Sequence, residues 1–311
     1  MPSRRPVFLL PRVLRTAVIA LALSYLALLL VSRFGVNALL FHPPRPPTYT
    51  ADPPYRLLER EGDDLLAVRY IPNSNARFTI LYSHGNAEDL GHLDPVLPWY
   101  VREGFGVLAY DYSGYGRSTG HPSEQGTYRD IERAYRFLTE EQGVAPGRIL
   151  VLGKSVGSGP ATELARRKPV GGLILESAFT SVYRVATPVR FLPGDRYENL
   201  AKLGEVDCPV LVIHGKQDEV IPFAHGEALY RAAEPPKRRL WVERGHHNDL
   251  MFAAGPDYWR ALREFSRALE AGSDERGGFG YASACHAPVG KGMRDGHGGH
   301  RKTRARLYHF P

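Results

Sequence analysis

Residues 148–167, RILVLGKSVGSGPATELARR, set an apolar run of strand character directly before the pentapeptide Gly153-Lys154-Ser155-Val156-Gly157 and a helix-forming stretch directly after it. A serine alcohol is a weak nucleophile unless it stands proud of the backbone beside a base. A tight strand-to-helix turn achieves that, and flanking glycines keep side chains out of the crowded turn. The N-terminus of the following helix also favours negative charge near the serine. The same pattern recurs at Gly116-Arg117-Ser118-Thr119-Gly120, but Ser118 lies well inside DYSGYGRSTGHPS (111–123), a Gly/Ser loop, with no strand directly before the serine. With 32 glycines in the chain, chance alone yields about 0.15 such pentapeptides, so context and not the pattern carries the assignment. Ser118 reads as a turn residue and Ser155 as the candidate nucleophile.

Outward from this turn the chain alternates short apolar runs with longer amphipathic stretches. The runs are LLAVRYI (65–71), FTILYS (78–83), GVLAYD (106–111), RILVLG (148–153), GLILES (172–177), PVLVIHG (209–215) and RLWVERG (239–245). Helices are predicted over 94–103, 123–142, 156–168, 224–233 and 257–271. Such alternation predicts an α/β fold, a mostly parallel sheet with helices on both faces; the first strands, with no helix between them, predict an antiparallel start. The insert 178–208 is too short for a large lid, so little or no lid is expected.

A base for Ser155 belongs at the carboxyl end of a strand on the same sheet edge, where open α/β sheets build their sites. His247 meets this in the loop GHHND (245–249), and His246 is its rival one position away. A carboxylate must then accept the imidazole's other N–H. Asp218, in HGKQDEVIP (214–222), is the candidate, with Glu219 and Asp249 as alternatives. Asp249 lies two residues from the base and reads better as an anchor of its own loop. The order Ser155, Asp218, His247, with gaps of 63 and 29 residues, is the nucleophile–acid–base order of α/β-hydrolases. A metal site on Asp218, His246, His247 and Asp249 leaves the serine unexplained, so no metal or cofactor is expected.

Acyl chemistry also needs N–H donors where a carbonyl oxygen becomes negative. The backbone N–H of Val156 follows the nucleophile. The second donor is expected from HGNAEDLG (84–91), as the N–H of Asn86 or alternatively Ala87, with His84 shaping the loop by hydrogen bonding.

Five ordered blocks, YSHGNAEDLG (82–91), YDYSGYGRSTG (110–120), GKSVGSGPA (153–161), VIHGKQDEVIPFAHG (212–226) and WVERGHHND (241–249), resemble a membrane-associated branch of the α/β-hydrolase superfamily that includes eukaryotic protein depalmitoylases. The resemblance covers residues 78–270. It implies the α/β-hydrolase fold, a triad of Ser155, Asp218 and His247, and oxyanion donors at Asn86 and Val156. Those depalmitoylases attach through an acylated cysteine-rich N-terminus, whereas this chain has no cysteine before Cys208 and a hydrophobic span in that place.

Composition bounds the rest. A chain of 311 residues with 43% hydrophobic residues is too apolar for a disordered protein, and two cysteines, Cys208 and Cys285, cannot staple a fold of this size. The net charge of +7 points toward polyanions until it is divided along the chain. Residues 1–33 hold five arginines and no acid; residues 273–311 hold seven basic and three acidic residues. Of the chain's 40 bases and 33 acids, that leaves 28 and 30 for residues 34–272, which are close to neutral. No nucleic-acid partner is expected.

The expected organisation is a basic segment (1–15), a transmembrane anchor (16–32), a proline-rich stalk (33–56), a catalytic domain (57–272) and a disordered basic tail (273–311). TAVIALALSYLALLLVS, 17 uncharged residues between Arg15 and Arg33, reaches about 26 Å as a helix against a hydrocarbon core of ~30 Å. The arginine bias then places the N-terminus in the cytoplasm and the catalytic domain outside; a cleaved export signal is the alternative. In the tail, His297 and His300 have metal-ligand spacing but no further ligands around them. The expectation is a membrane-anchored serine hydrolase acting through an acyl-enzyme on carboxylic esters or thioesters, lipid or acylated substrates among them. A serine peptidase of the same fold and a non-catalytic binding protein are the alternatives.

Overall fold

Successive side chains of a strand point to opposite faces, so a run such as Leu150-Val151-Leu152 can be apolar throughout only if both faces are covered. The structure, a computed structural model describing residues 12–30, 36–50, 52–60, 64–187 and 194–274, covers both. Eight strands form one sheet: β1 (Tyr55–Glu59), β2 (Leu65–Ile71), β3 (Thr79–Ser83), β4 (Gly106–Tyr110), β5 (Ile149–Lys154), β6 (Gly172–Glu176), β7 (Val210–Gly215) and β8 (Lys237–Val242). Their order is β1-β2-β4-β3-β5-β6-β7-β8. The pairs β1–β2 and β2–β4 are antiparallel and the remainder parallel.

Two apolar clusters lie on the two faces. Val151, Leu173 and Val212 pack with Ile131, Ala161 and Leu229 from the crossover helices Glu124–Arg136, Ser158–Arg167 and Ala224–Ala232. Leu150, Leu152, Ile174 and Ile213 pack with Tyr100 from Leu97–Arg102 and with Tyr258, Leu262 and Phe265 from Pro256–Asp274. This is the architecture expected from the alternation. Because β3 and β5–β8 run parallel, the loops after them gather at one edge of the sheet.

The ends of the chain depart from expectation. No helix among the described residues is long and apolar enough to cross a membrane, which corrects the expected single-pass topology with the domain outside. The physical reason is length. Helix Arg12–Leu30 takes Arg12 and Arg15 into its first turn, so its uncharged part, Thr16–Leu30, rises only ~22 Å, where a bilayer core needs about 20 apolar residues. Two of the described residues in the stretch expected as a stalk pack into the domain. Phe41 and Tyr49 are buried, Tyr49 Oη donates to Asp111 Oδ2 at 2.5 Å, and the stretch's last residues begin β1. Aromatic groups at the start of and within the proline-rich stretch gain more by burial than an extended spacer gains by staying solvated. Residues 275–311, with His297 and His300, lie outside the described residues.

Candidate functional site

The turn after β5 is tight. Ser155 takes a φ of +52°, a backbone region that costs a non-glycine residue of order 1–3 kcal/mol and that the surroundings must enforce. A one-turn helix, Ser155–Gly157, then leads into Ser158–Arg167. The glycines serve close approach. A Cβ on Gly157 would stand 2.2 Å from the Ser83 carbonyl oxygen and 2.7 Å from that of His84, and one on Gly153 would stand 2.5 Å from Gly157 O. Backbone on backbone cannot yield as a side chain would. Gly157→Ala is therefore expected to lower stability by about 1–3 kcal/mol, a Tm drop of several degrees. A thermal melt superimposing on that of the wild type would contradict this.

His247 comes to this turn from the loop after β8. Its Nε2 lies 3.0 Å from Ser155 Oγ, and its Nδ1 lies 2.9 Å from Asp218 Oδ2 and 3.0 Å from Oδ1. An imidazole with its proton on Nδ1 donates to the carboxylate and leaves Nε2 free to accept the serine proton. Asp218 is held by the N–H groups of Val220 (3.0 Å) and Ile221 (2.7 Å), which both donate to Oδ1. Burial alone would raise the Asp218 carboxyl, but the hydrogen bonds from His247 and the Ile221 N–H, with the nearby His247 and His214 rings, outweigh it and hold the group below its ordinary range. His246 turns away to Glu219, its Nδ1 at 3.1 Å from Oε2 on the exposed surface. Asp249 Oδ1 accepts the His246 N–H at 2.7 Å and closes its own loop. Ser118 Oγ bridges Ala67 N–H and Asp111 O in the interior. Thus one serine, one histidine and one carboxylate of the candidates form a continuous hydrogen-bonded line, and the rivals do not join it.

Beneath the line sits a buried charged layer that the sequence reading passed over. Lys154 Nζ donates to Glu88 Oε1 at 2.5 Å, and Glu88 Oε2 accepts the Gly85 N–H at 2.9 Å. The loop after β3 is thereby tied to the residue preceding Ser155. Burial would raise Glu88, yet the Lys154 ammonium keeps it below the usual carboxylate range. Glu176, opposite Lys154 in the β5–β6 register, accepts from Tyr258 Oη at 2.6 Å. Here burial dominates and the carboxyl is raised; Lys154 and Tyr258 offset it only in part. A carboxyl raised on folding contributes stability below its unfolded value that is lost as pH rises through the folded one. Glu176→Gln is therefore expected to gain Tm relative to wild type as pH rises above about 4, the range of the unfolded carboxyl, because only the wild type then bears the cost of the raised group. Parallel Tm–pH curves would contradict this. Their one sequence signal is position: Lys154 and Glu176 end adjacent apolar strands.

Ser177 Oγ donates to His247 O at 3.2 Å, steadying the histidine loop. His214 Nε2 donates to Ile221 O at 2.9 Å, and burial lowers the pKa of its ring, so a neutral imidazole buttresses the Asp218 turn.

A cavity of about 400 Å³ opens beside Ser155 and His247, with Gly85, Asn86, Val156 and Asn248 at its polar end and Leu40, Phe179, Val182, Val185, Val220 and Ile221 as apolar wall. Asn86 and Val156 both line it; Ala87, the alternative donor, does not. Val182 and Val185 belong to the five-residue helix Val182–Ala186 in the short insert. A more open depression of about 470 Å³, bounded by Asn37, His42, Arg45 and Pro122, holds none of the hydrogen-bonded line, so the smaller cavity is the one with chemistry beside it. Among the described residues, no group of three or more His, Cys, Asp or Glu is arranged to hold a metal ion.

A family described as serine aminopeptidase, S33, matches residues 74–200. The chain is similar to human alpha/beta hydrolase domain-containing protein 17B, with 40% identity over 197 residues, 61% of this chain and 67% of the relative. It is similar also to alpha/beta hydrolase domain-containing protein aho-3 of Caenorhabditis elegans, 42% identical over 204 residues, 64% of this chain and 59% of the relative. Among solved structures, an esterase of Pyrococcus furiosus superposes with a TM-score of 0.62 at 17% identity, covering 74% of this chain and 98% of the esterase. At that identity the likeness is one of fold.

Proposed function

This chain belongs to the α/β-hydrolase superfamily, and we propose that within it the chain is a serine hydrolase that cleaves carboxylic esters or thioesters through an acyl-enzyme. The observation that carries the reading is the unbroken line Ser155 Oγ–His247–Asp218 opening on an apolar cavity. His247 Nε2 takes the Ser155 proton as Oγ bonds to the substrate carbonyl carbon. The oxygen becomes negative, and the N–H groups of Val156 and Asn86 receive it. Collapse of this intermediate expels the alcohol or thiol, which takes the proton from His247 and leaves the acyl group on Ser155. Water then repeats the sequence: His247 accepts its proton, the acid is released and Ser155 recovers its own. Asp218 holds the Nδ1–H tautomer and stabilises the imidazolium formed in each half.

An apolar wall beside the nucleophile suits the acyl side of the substrate, because removal from water stabilises each methylene by about 0.8 kcal/mol. Fatty acyl esters and thioesters are therefore the favoured class. Comparing p-nitrophenyl esters, acyl thioesters and peptide amides side by side tests the reading. Ester or thioester turnover that disappears in Ser155→Ala is expected; turnover of peptides alone would replace the reading with a peptidase.

A further inference from the structure

The hydrolase sheet and its crossovers do not complete the cavity by themselves. Leu40, from the helix Val36–Leu40 that precedes β1, stands in its wall together with residues contributed by the segments after β6 and β7. The segment is fixed in that place. Phe41 is 4% exposed and sits edge-on to Tyr115 and Tyr197, with ring centroids 6.4 and 6.5 Å apart. The Asn86 side chain binds the same stretch and Tyr115 beside it. Its Nδ2 donates to Leu40 O at 2.6 Å, and its Oδ1 accepts the His42 N–H at 3.0 Å and the Tyr115 hydroxyl at 2.6 Å. Tyr115 Oη in turn accepts from His42 N–H at 3.0 Å. Farther along, Thr48 N–H donates to Asp89 Oδ2 at 2.8 Å. Asn86 thus links the two: its side chain grips the segment, and the residue lines the cavity together with Ser155.

We propose that residues 36–42 form an acyl-selecting strap. Leu40 is its specificity-determining residue, setting which acyl chains the cavity accepts, and Asn86 couples the seating of the strap to the loop that holds the oxyanion. The proposal rests on the serine hydrolase reading and adds the substrate feature that is discriminated, the length and bulk of a saturated acyl chain. Leu40 approaches from outside the sheet, so its size can change without disturbing the hydrogen-bonded line. A methylene gained or lost in an apolar pocket changes kcat/KM by roughly tenfold or more, which makes the acyl profile a sensitive readout.

The test uses the full chain and p-nitrophenyl acetate, butyrate, octanoate and palmitate. In Leu40→Trp, the ratio of kcat/KM for octanoate and palmitate to that for acetate is expected to fall by about tenfold or more, because bulk added to the wall takes room from a long chain more than from a short one. In Leu40→Ala the preference is expected to move the opposite way, toward the longer and bulkier esters. Rates of fluorophosphonate capture at Ser155 accompany both, and a rate equal to the wild type's marks an intact nucleophile. If both variants label normally and keep the wild-type acyl profile, the strap assignment is overturned and the hydrolase reading stands. If Ser155→Ala retains hydrolysis, the hydrolase reading itself fails, whatever Leu40 does.

Discussion

Ser155→Ala is expected to lower kcat for ester hydrolysis on the order of 10⁶-fold and to abolish covalent capture by a fluorophosphonate. Alanine removes Oγ, the atom that bonds to the carbonyl carbon, and leaves His247 with no alcohol to deprotonate. Residual turnover then comes only from substrate binding and oxyanion donors. The fold is expected to tolerate the change. Ser155 Oγ meets His247, while the residue's structural bond, Ser158 Oγ donating to the Ser155 carbonyl at 2.6 Å, uses backbone. An unchanged Tm together with lost turnover is the expected pair of results. Wild-type turnover with persistent labelling would remove Ser155 from the chemistry.

Asp218→Asn is expected to cost about 10⁴ in kcat with little change in KM. Asparagine can still accept the N–H groups of Val220 and Ile221 through its oxygen. Its amide nitrogen then faces His247 Nδ1 and donates to it, which moves the imidazole proton to Nε2, the atom that must accept from Ser155. The proposed acyl-binding wall does not include Asp218, so substrate binding is expected to be unaffected. Steady-state kinetics separate the two parameters, and a loss expressed in KM alone would contradict the assignment. The same carboxylate has an acid limit. Its folded pKa lies below the unfolded one, so the stability it contributes is whole above about pH 4 and fades as pH falls through the lower folded value.

Much of this was legible locally. The apolar run ending in Gly153-Lys154-Ser155-Val156-Gly157 predicts a strand, a sharp turn and a helix, and the chain forms β5, the positive-φ Ser155 and Ser158–Arg167. The seven apolar runs coincide with β2 to β8 within a residue or two at most of their ends. β1 was missed because it is an edge strand of five residues with one buried side chain, directly behind prolines, so it carries little pattern of its own. The anchor was misread for a related reason: counting uncharged residues between arginines ignores where the helix itself begins and ends.

By itself, the sequence determined the order of elements, the parallel sheet and three candidate residues at strand ends, because apolar periodicity and turn chemistry act over a few neighbouring residues. Only the tertiary structure decided between His246 and His247, separated one backbone step apart by which side chain reaches Ser155. It also decided that Lys154 is neutralised by Glu88 and that Glu176 stays buried opposite it. Finally, it carried Leu40 from ahead of the first strand to the edge of the cavity, held by the side chain of Asn86, with Phe41 packed on Tyr115 and Tyr197. Those contacts join residues tens of positions apart; they arise from packing of the whole sheet, and no local pattern along the chain records them.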